Sequence, residues 1–239
     1  MSKKEDFFGK EVVLGFDESN NGYGLKVFNP HHKPAMVLTG YLAEDTSMKS
    51  YHSPPNEIKG KIFTGQRNIE EALKRGRSYI RDHPDFLYTA IPKELQRTVP
   101  IAILKAEAIA TLTINFFLHY HLDPSKTKIV MDEMDGELPS KQLNQVLDIW
   151  LEKAGLDIPH KSLRSSPSQV LAVRKADMIS YYLAAIHLLG DNPHWPYKHH
   201  RVGIRSLEKS LIELLEERET DYPHNLRNGL IIIKLLHKT

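Results

Sequence analysis

The sequence predicts an α/β domain built on a mixed sheet, and three observations carry that prediction. Two short apolar runs, residues 11–17 and 128–132, each end in an aspartate. Segments with helical spacing of apolar residues lie between and after the strand candidates. Close to the start, strand-like runs follow one another across turn residues, which is the pattern of a three-strand antiparallel meander.

Residues 11–17, Glu-Val-Val-Leu-Gly-Phe-Asp, read as a buried central strand that brings Asp17 to its C-terminal end. Asn20-Asn21-Gly22 supplies turn chemistry, residues 23–28 alternate as a hairpin partner would, and residues 35–42 follow Pro34 as a third strand. From 43 to 85 the pattern is irregular, with Ser53-Pro54-Pro55-Asn56 as a breaker and a short amphipathic helix over 68–81, so this stretch reads as an insertion. Residues 86–91 form a further short strand. A long helix is expected over 99–119, where Ile101, Leu104, Ala108, Leu112 and Phe116 fall at helical spacing and Pro100 is tolerated in the first turn.

Residues 128–132 are a second buried strand, ending in Asp132. An amphipathic helix over 140–154 should stop at Gly155, and a strand over 156–163 is pushed to an edge by Pro159. Pro167 opens a long helix to about 189 with Asp177 in its first half, and helices over 205–219 and 226–237 flank a turn at Tyr222-Pro223. The expected organisation is one domain over 1–189 with an insertion at about 43–85, and a C-terminal helical extension over 190–239 packed on it.

Composition narrows the chemistry. The 239 residues carry 41% hydrophobic side chains, enough for a substantial core, and no stretch matches the roughly 18 apolar residues of a membrane span. The charged start Lys3-Lys4-Glu5-Asp6 lacks a signal-peptide pattern, so a soluble cytoplasmic protein without a membrane partner is expected. The chain has no cysteine, which excludes disulfides, thiolate zinc sites and cysteine nucleophiles. Any metal must be held by oxygen or imidazole. The histidine groups His31-His32, His119-Tyr120-His121 and His199-His200 lack the His-Glu-x-x-His spacing of a helical zinc site. Phosphate-binding and dinucleotide-binding glycine patterns and a serine nucleophile elbow are also missing.

A net charge of +2 is too mild to indicate nucleic acid by itself, because phosphate neutralisation needs basic groups gathered on one face. Such clusters occur at Lys74, Arg75, Arg77 and Arg81, at Lys161, Arg164, Arg174 and Lys175, and at Lys198 to Arg201. The acids are more specific. Asp17 and Asp132 close two buried strands, and Asp177 lies on a helix that can cross the same sheet edge. Singly, Asp17 and Asp132 can cap turns and Asp177 can pair with Arg174. As a set, crowded anions repel and are tolerated only with a cation among them, and hard oxygen ligands select Mg²⁺ or Mn²⁺.

Gly15-Phe16-Asp17-Glu18-Ser19-Asn20-Asn21-Gly22 resembles the opening strand of ribonuclease HII, whose signature is Asp-Glu-Ala-Gly-Arg-Gly. It is still closer to a ribonuclease-H-like family that opens with Asp-Glu-Ser-Gly. Val130-Met131-Asp132-Glu133 is similar to the next strand-end aspartate of either family, and Arg174 to Tyr182 resembles the later helix with its Ala-Asp pair. The three matches occur in the families' order. The resemblance implies a ribonuclease H-like mixed sheet, three meander strands plus parallel strands, flanked by helices. It also implies a nuclease that hydrolyses phosphodiesters of RNA, DNA or RNA–DNA hybrid with two metal ions about 4 Å apart.

The implied catalytic and metal-binding set is Asp17, Glu18, Asp132 and Asp177. The fourth acid is open between Glu18, adjacent to Asp17 as in ribonuclease HII, and Glu107, placed as in ribonuclease HI, with Glu133 and Asp135 as substitutes. Neighbours Asp17 and Glu18 reach one ion only if the backbone turns between them. Asn20, Asn21, Gly22, Arg174 and Lys175 are the expected substrate contacts. The family's glycine-arginine-glycine stretch is replaced by Asn20-Asn21-Gly22, which argues against the same RNA/DNA junction specificity and leaves a second reading, a non-catalytic module that binds nucleic acid or protein.

Overall fold

The computed structural model describes residues 7, 9–19, 36–45, 78–91, 99–132, 137–164, 170–191 and 218. Five strands, β1 (Val12–Ser19), β2 (Met36–Glu44), β3 (Phe86–Ile91), β4 (Thr127–Asp132) and β5 (His160–Arg164), form one sheet in the order β3-β2-β1-β4-β5. β2 pairs antiparallel with β1 and with β3, whereas β4 runs parallel to β1 and to β5. Three long helices, α1 (Ile101–Tyr120), α2 (Glu137–Lys153) and α3 (Leu171–Asp191), accompany the sheet, with helical residues 78–82 and a 3-10 turn at Pro124–Lys126. The protein is therefore mixed α/β, with helices on both faces of a mixed sheet.

The continuous apolar run of β1 follows from this placement, since a central strand is covered on both sides. Val12, Leu14 and Phe16 join a core with α1 and α2, through residues such as Leu112, Phe116 and Leu147. Val13 joins the other core, with Ala172, Val173 and Ala176 of α3 and with Ile80 from the helical residues 78–82. Two glycines allow the close approaches. A Cβ on Gly15 would lie 2.2 Å from the Val173 nitrogen, so α3 rests on the bare backbone of β1. On the opposite face, a Cβ on Gly40 would lie 2.6 Å from the Phe16 ring and 2.7 Å from the Phe116 ring.

Several local expectations are met. α2 ends as the glycine signal requires: Gly155 has φ of 72°, its N–H donates to Glu152 O at 2.9 Å, and Leu156 N–H donates to Leu151 O at 2.9 Å. β5, preceded by Pro159, begins at His160 rather than at 156 and is the outer strand of the described sheet. α1 begins directly after Pro100 and ends at His121, whose left-handed φ of 52° directs its N–H to Phe117 O at 3.0 Å.

Other expectations change. The antiparallel neighbour of β1 is β2, and the proposed hairpin strand over 23–28 lies outside the described residues. The expected insertion at 43–85 is shorter, because β2 continues to Glu44 and Ile80 is fully buried in the core. What remains of it, 46–77, lies outside the described residues, as do Pro167 and all of the expected helices over 205–219 and 226–237 except residue 218. α1 is long and apolar enough to cross a membrane, contrary to the expectation that no segment is. Most of it is buried against the sheet and α2, as a core helix must be.

The base of the sheet, where β1 and β3 begin, is closed by a buried polar line. The Tyr120 hydroxyl donates to Asp85 Oδ1 at 3.3 Å and accepts from Arg218 Nη1 at 2.8 Å. All three residues are buried. Burial, reinforced by the Asp85 charge and opposed by Arg218, pushes the Tyr120 pKa up to about 12.

Candidate functional site

The C-terminal ends of β1, β4 and β5 share the edge of the sheet opposite that base. Parallel pairing of β1 with β4 runs from Val12 with Thr127 to Phe16 with Met131, so Asp17 and Asp132 are the next residues on adjacent strands. Successive strand residues alternate between faces. Val13 and Val130 belong to the α3 side, and positions 17 and 132 share their parity. Neighbouring strands lie about 4.8 Å apart, which makes the two aspartate positions neighbours on one face. The same row extends to Thr39 opposite Asp17 on β2 and to Arg164 opposite Asp132 on β5.

Asp17 is half-buried, and its Oδ1 accepts the Glu18 N–H at 2.7 Å. Asp177 lies on α3, five residues beyond Ala172, whose Cβ would be 2.7 Å from a Cβ on Gly15. The approach at Gly15 thus brings the Asp177-bearing helix onto the face that carries Asp17. Asp177 is half-buried, with Oδ2 closed off from solvent. The side chain of Asp132 lies outside the described ones.

Of the candidate fourth acids, Glu18 falls on the other face. β1 stays extended through Ser19, so the backbone turn needed to bring Glu18 beside Asp17 is not made. Glu18 takes the opposite face, where its carboxylate forms an ion pair with Lys105 of α1. Glu107 is on α1 and is buried, at 4% exposure. Glu133, Asp135 and the Asn20-Asn21-Gly22 loop lie outside the described residues. Of the expected substrate contacts on α3, Lys175 is turned toward β2: its Nζ donates to the Tyr41 hydroxyl at 3.3 Å and lies 4.9 Å from the ring centroid. Arg174 is half-buried beside it.

Tyr41 also adjoins His83, which stacks on Tyr79 with 4.2 Å between ring centroids and has Nδ1 2.9 Å from Tyr79 O. Burial, with Lys175 adding to it, holds the His83 pKa below its usual value against the opposing effects of that carbonyl and of Asp82.

An all-oxygen donor set of Asp17, Asp177 and Asp132 has the chemistry that suits Mg²⁺ or Mn²⁺. Among the described residues, no three His, Asp or Glu side chains gather into a group that could hold a metal ion. Of this donor set, Asp17 and Asp177 have described side chains, and that of Asp132 lies outside the described ones. Sequence reasoning overlooked Lys105. The signal for it was present: a lysine within the apolar stretch Ile101 to Leu112 must find a partner if the helix is buried.

No protein-family model matches the chain, and no curated protein matches it. The class therefore rests on the fold: a mixed α/β protein with two aspartates closing its central parallel strands.

Proposed function

We propose that the protein is a divalent-metal-dependent nuclease of ribonuclease H-like architecture that hydrolyses phosphodiester bonds in RNA, DNA or their hybrid. The observation that carries the reading is the pairing of β1 with β4. Asp17 and Asp132 directly follow its last rung, on the face to which Gly15 admits the Asp177 helix. Strand order, the resemblance of the three motifs and the all-oxygen donors support the same reading. In it, Asp17, Asp132 and Asp177 hold Mg²⁺ or Mn²⁺, which when bound supplies Lewis-acid activation of water and charge stabilisation at the phosphate. Glu18, paired with Lys105, is left out of the ligand set.

The test is a panel of labelled RNA, DNA and hybrid substrates incubated with Mg²⁺ or Mn²⁺, comparing wild type with Asp17→Asn. The substitution preserves shape and removes an anion, so cleavage should be lost while the melting temperature holds or rises, because repulsion among the acids is relieved. Equal cleavage by both proteins would refute the assignment. A folded wild type that binds these nucleic acids without cleaving any of them would replace it with the non-catalytic module.

A further inference from the structure

We propose that the Lys105–Glu18 ion pair is a positioning device for Asp17, an inference that rests on the nuclease reading for what Asp17 then presents. β1 is paired on both sides from Val12 to Phe16, with β2 and β4. From Asp17 to Ser19 its described pairing is with β2 alone. The acid-bearing segment is the C-terminal end of β1, and strand ends open locally more readily than the body of a sheet. The ion pair falls in that segment.

α1 grips the residues on both sides of Asp17. Phe16 and Phe116 flank Gly40, so the residue before Asp17 is packed under the helix. Glu18, the residue after it, is tied to Lys105, and the two side chains are only 20% and 10% exposed. Because strand residues alternate, holding 16 and 18 on the α1 side fixes residue 17 on the α3 side. A lysine in a mostly apolar helix carries a desolvation cost that a plain core residue would avoid. Holding the strand end is what that cost obtains. Lys105 and Glu18 are positioning residues, and the chemistry remains with the acids on the other face.

The experiment measures amide hydrogen exchange on the full chain, together with Mn²⁺ affinity from water-proton relaxation. The variants are Lys105→Met, Glu18→Gln, Lys105→Arg and the reversed pair Lys105→Glu with Glu18→Lys. Lys105→Met and Glu18→Gln should each speed exchange roughly tenfold at the protected amides of 17–19 and 37–39, with 12–14 unchanged. Mn²⁺ affinity should fall roughly tenfold, at the low end of what lost supporting contacts around a metal ligand cost. Lys105→Arg should stay near wild type, and the reversed pair should recover most of the protection. Unchanged exchange at 17–19, or equal acceleration over 12–14, would overturn the proposal. So would local opening without any change in a measurable Mn²⁺ affinity. If wild type binds no Mn²⁺ yet the strand end opens as described, the nuclease reading fails while the fastening of the strand end stands.

Discussion

Gly15→Ala tests the contact that brings the Asp177 helix to the sheet. A Cβ there would meet Val173 N at 2.2 Å and the Ala172 carbonyl carbon at 2.3 Å, where ordinary contact begins at 3.4 Å. Both are backbone atoms, so no rotamer change relieves the clash and α3 must lift by about 1 Å. Four large side chains, Val173, Ile179, Tyr182 and Leu183, are buried by that helix. Each contributes roughly 1.5–3 kcal/mol, and a gap of this size forfeits a quarter to a half of their packing. The expected loss is therefore about 2–5 kcal/mol, or a fall in melting temperature of roughly 5–15 °C for a domain of this size. Urea unfolding followed by circular dichroism measures it. Gly40→Ala is the comparison, since its nearest neighbours are ring atoms of Phe16 and Phe116 that can shift, and it should cost less. Unfolding of Gly15→Ala within 1 kcal/mol of wild type would refute the packing of α3 on bare β1 backbone.

Two predictions concern pH. The Tyr120 pKa is raised from 10.0 to about 12 in the folded protein, so stability should be full below pH 10 and decline between pH 10 and 12 as the unfolded chain alone gives up the proton. Denaturation midpoints should show an alkaline loss on the order of 2 kcal/mol that is absent in Tyr120→Phe. An equal loss in that variant would remove Tyr120 as its cause. His83 has its pKa held below 6.5, first by burial and then by Lys175, so its contribution is present above pH 6.5 and is lost as the pH falls through the folded value. His83→Gln should flatten the acid limb of the stability profile, and an unaltered limb would assign that limb to other groups.

The parts of the fold legible in the sequence are those set by local chemistry. Val12 to Phe16 and Ile129 to Met131 are apolar runs because both faces of those strands are covered. Gly155 and Pro159 mark a helix end and an outer strand of the described sheet through their own backbone preferences. That β2 is the antiparallel partner of β1 was beyond local pattern, because pairing depends on which strand edge is occupied. The neighbouring positions of Asp17 and Asp132 followed from placing two acids at the ends of parallel strands. The face of Glu18 was not legible in the sequence, because it depends on whether the chain turns after Asp17, and β1 stays extended through Ser19. The role of Lys105 was not legible in the sequence, because its partner is 87 positions distant and comes close only through the sheet.

The two edges of the sheet handle charge in different ways, and the difference bears on which edge works. At the base, Asp85, the Tyr120 hydroxyl and Arg218 are buried and bonded in a line, so the carboxylate serves to hold residue 218 to the core. A carboxylate whose task is cohesion gains most when it is withdrawn from water against its partner. At the opposite edge Asp17 remains half-exposed, while the neighbouring Glu18 has its charge matched by Lys105 on the other side of the sheet. Under the nuclease reading, an acid that receives a ligand has to stay reachable while its neighbours hold it still. Phe16 and Glu18, fastened under α1, hold the chain on either side of Asp17, and the Glu18 N–H is bonded to Asp17 Oδ1. Gly15 in turn lets α3 bring Asp177 onto the same face.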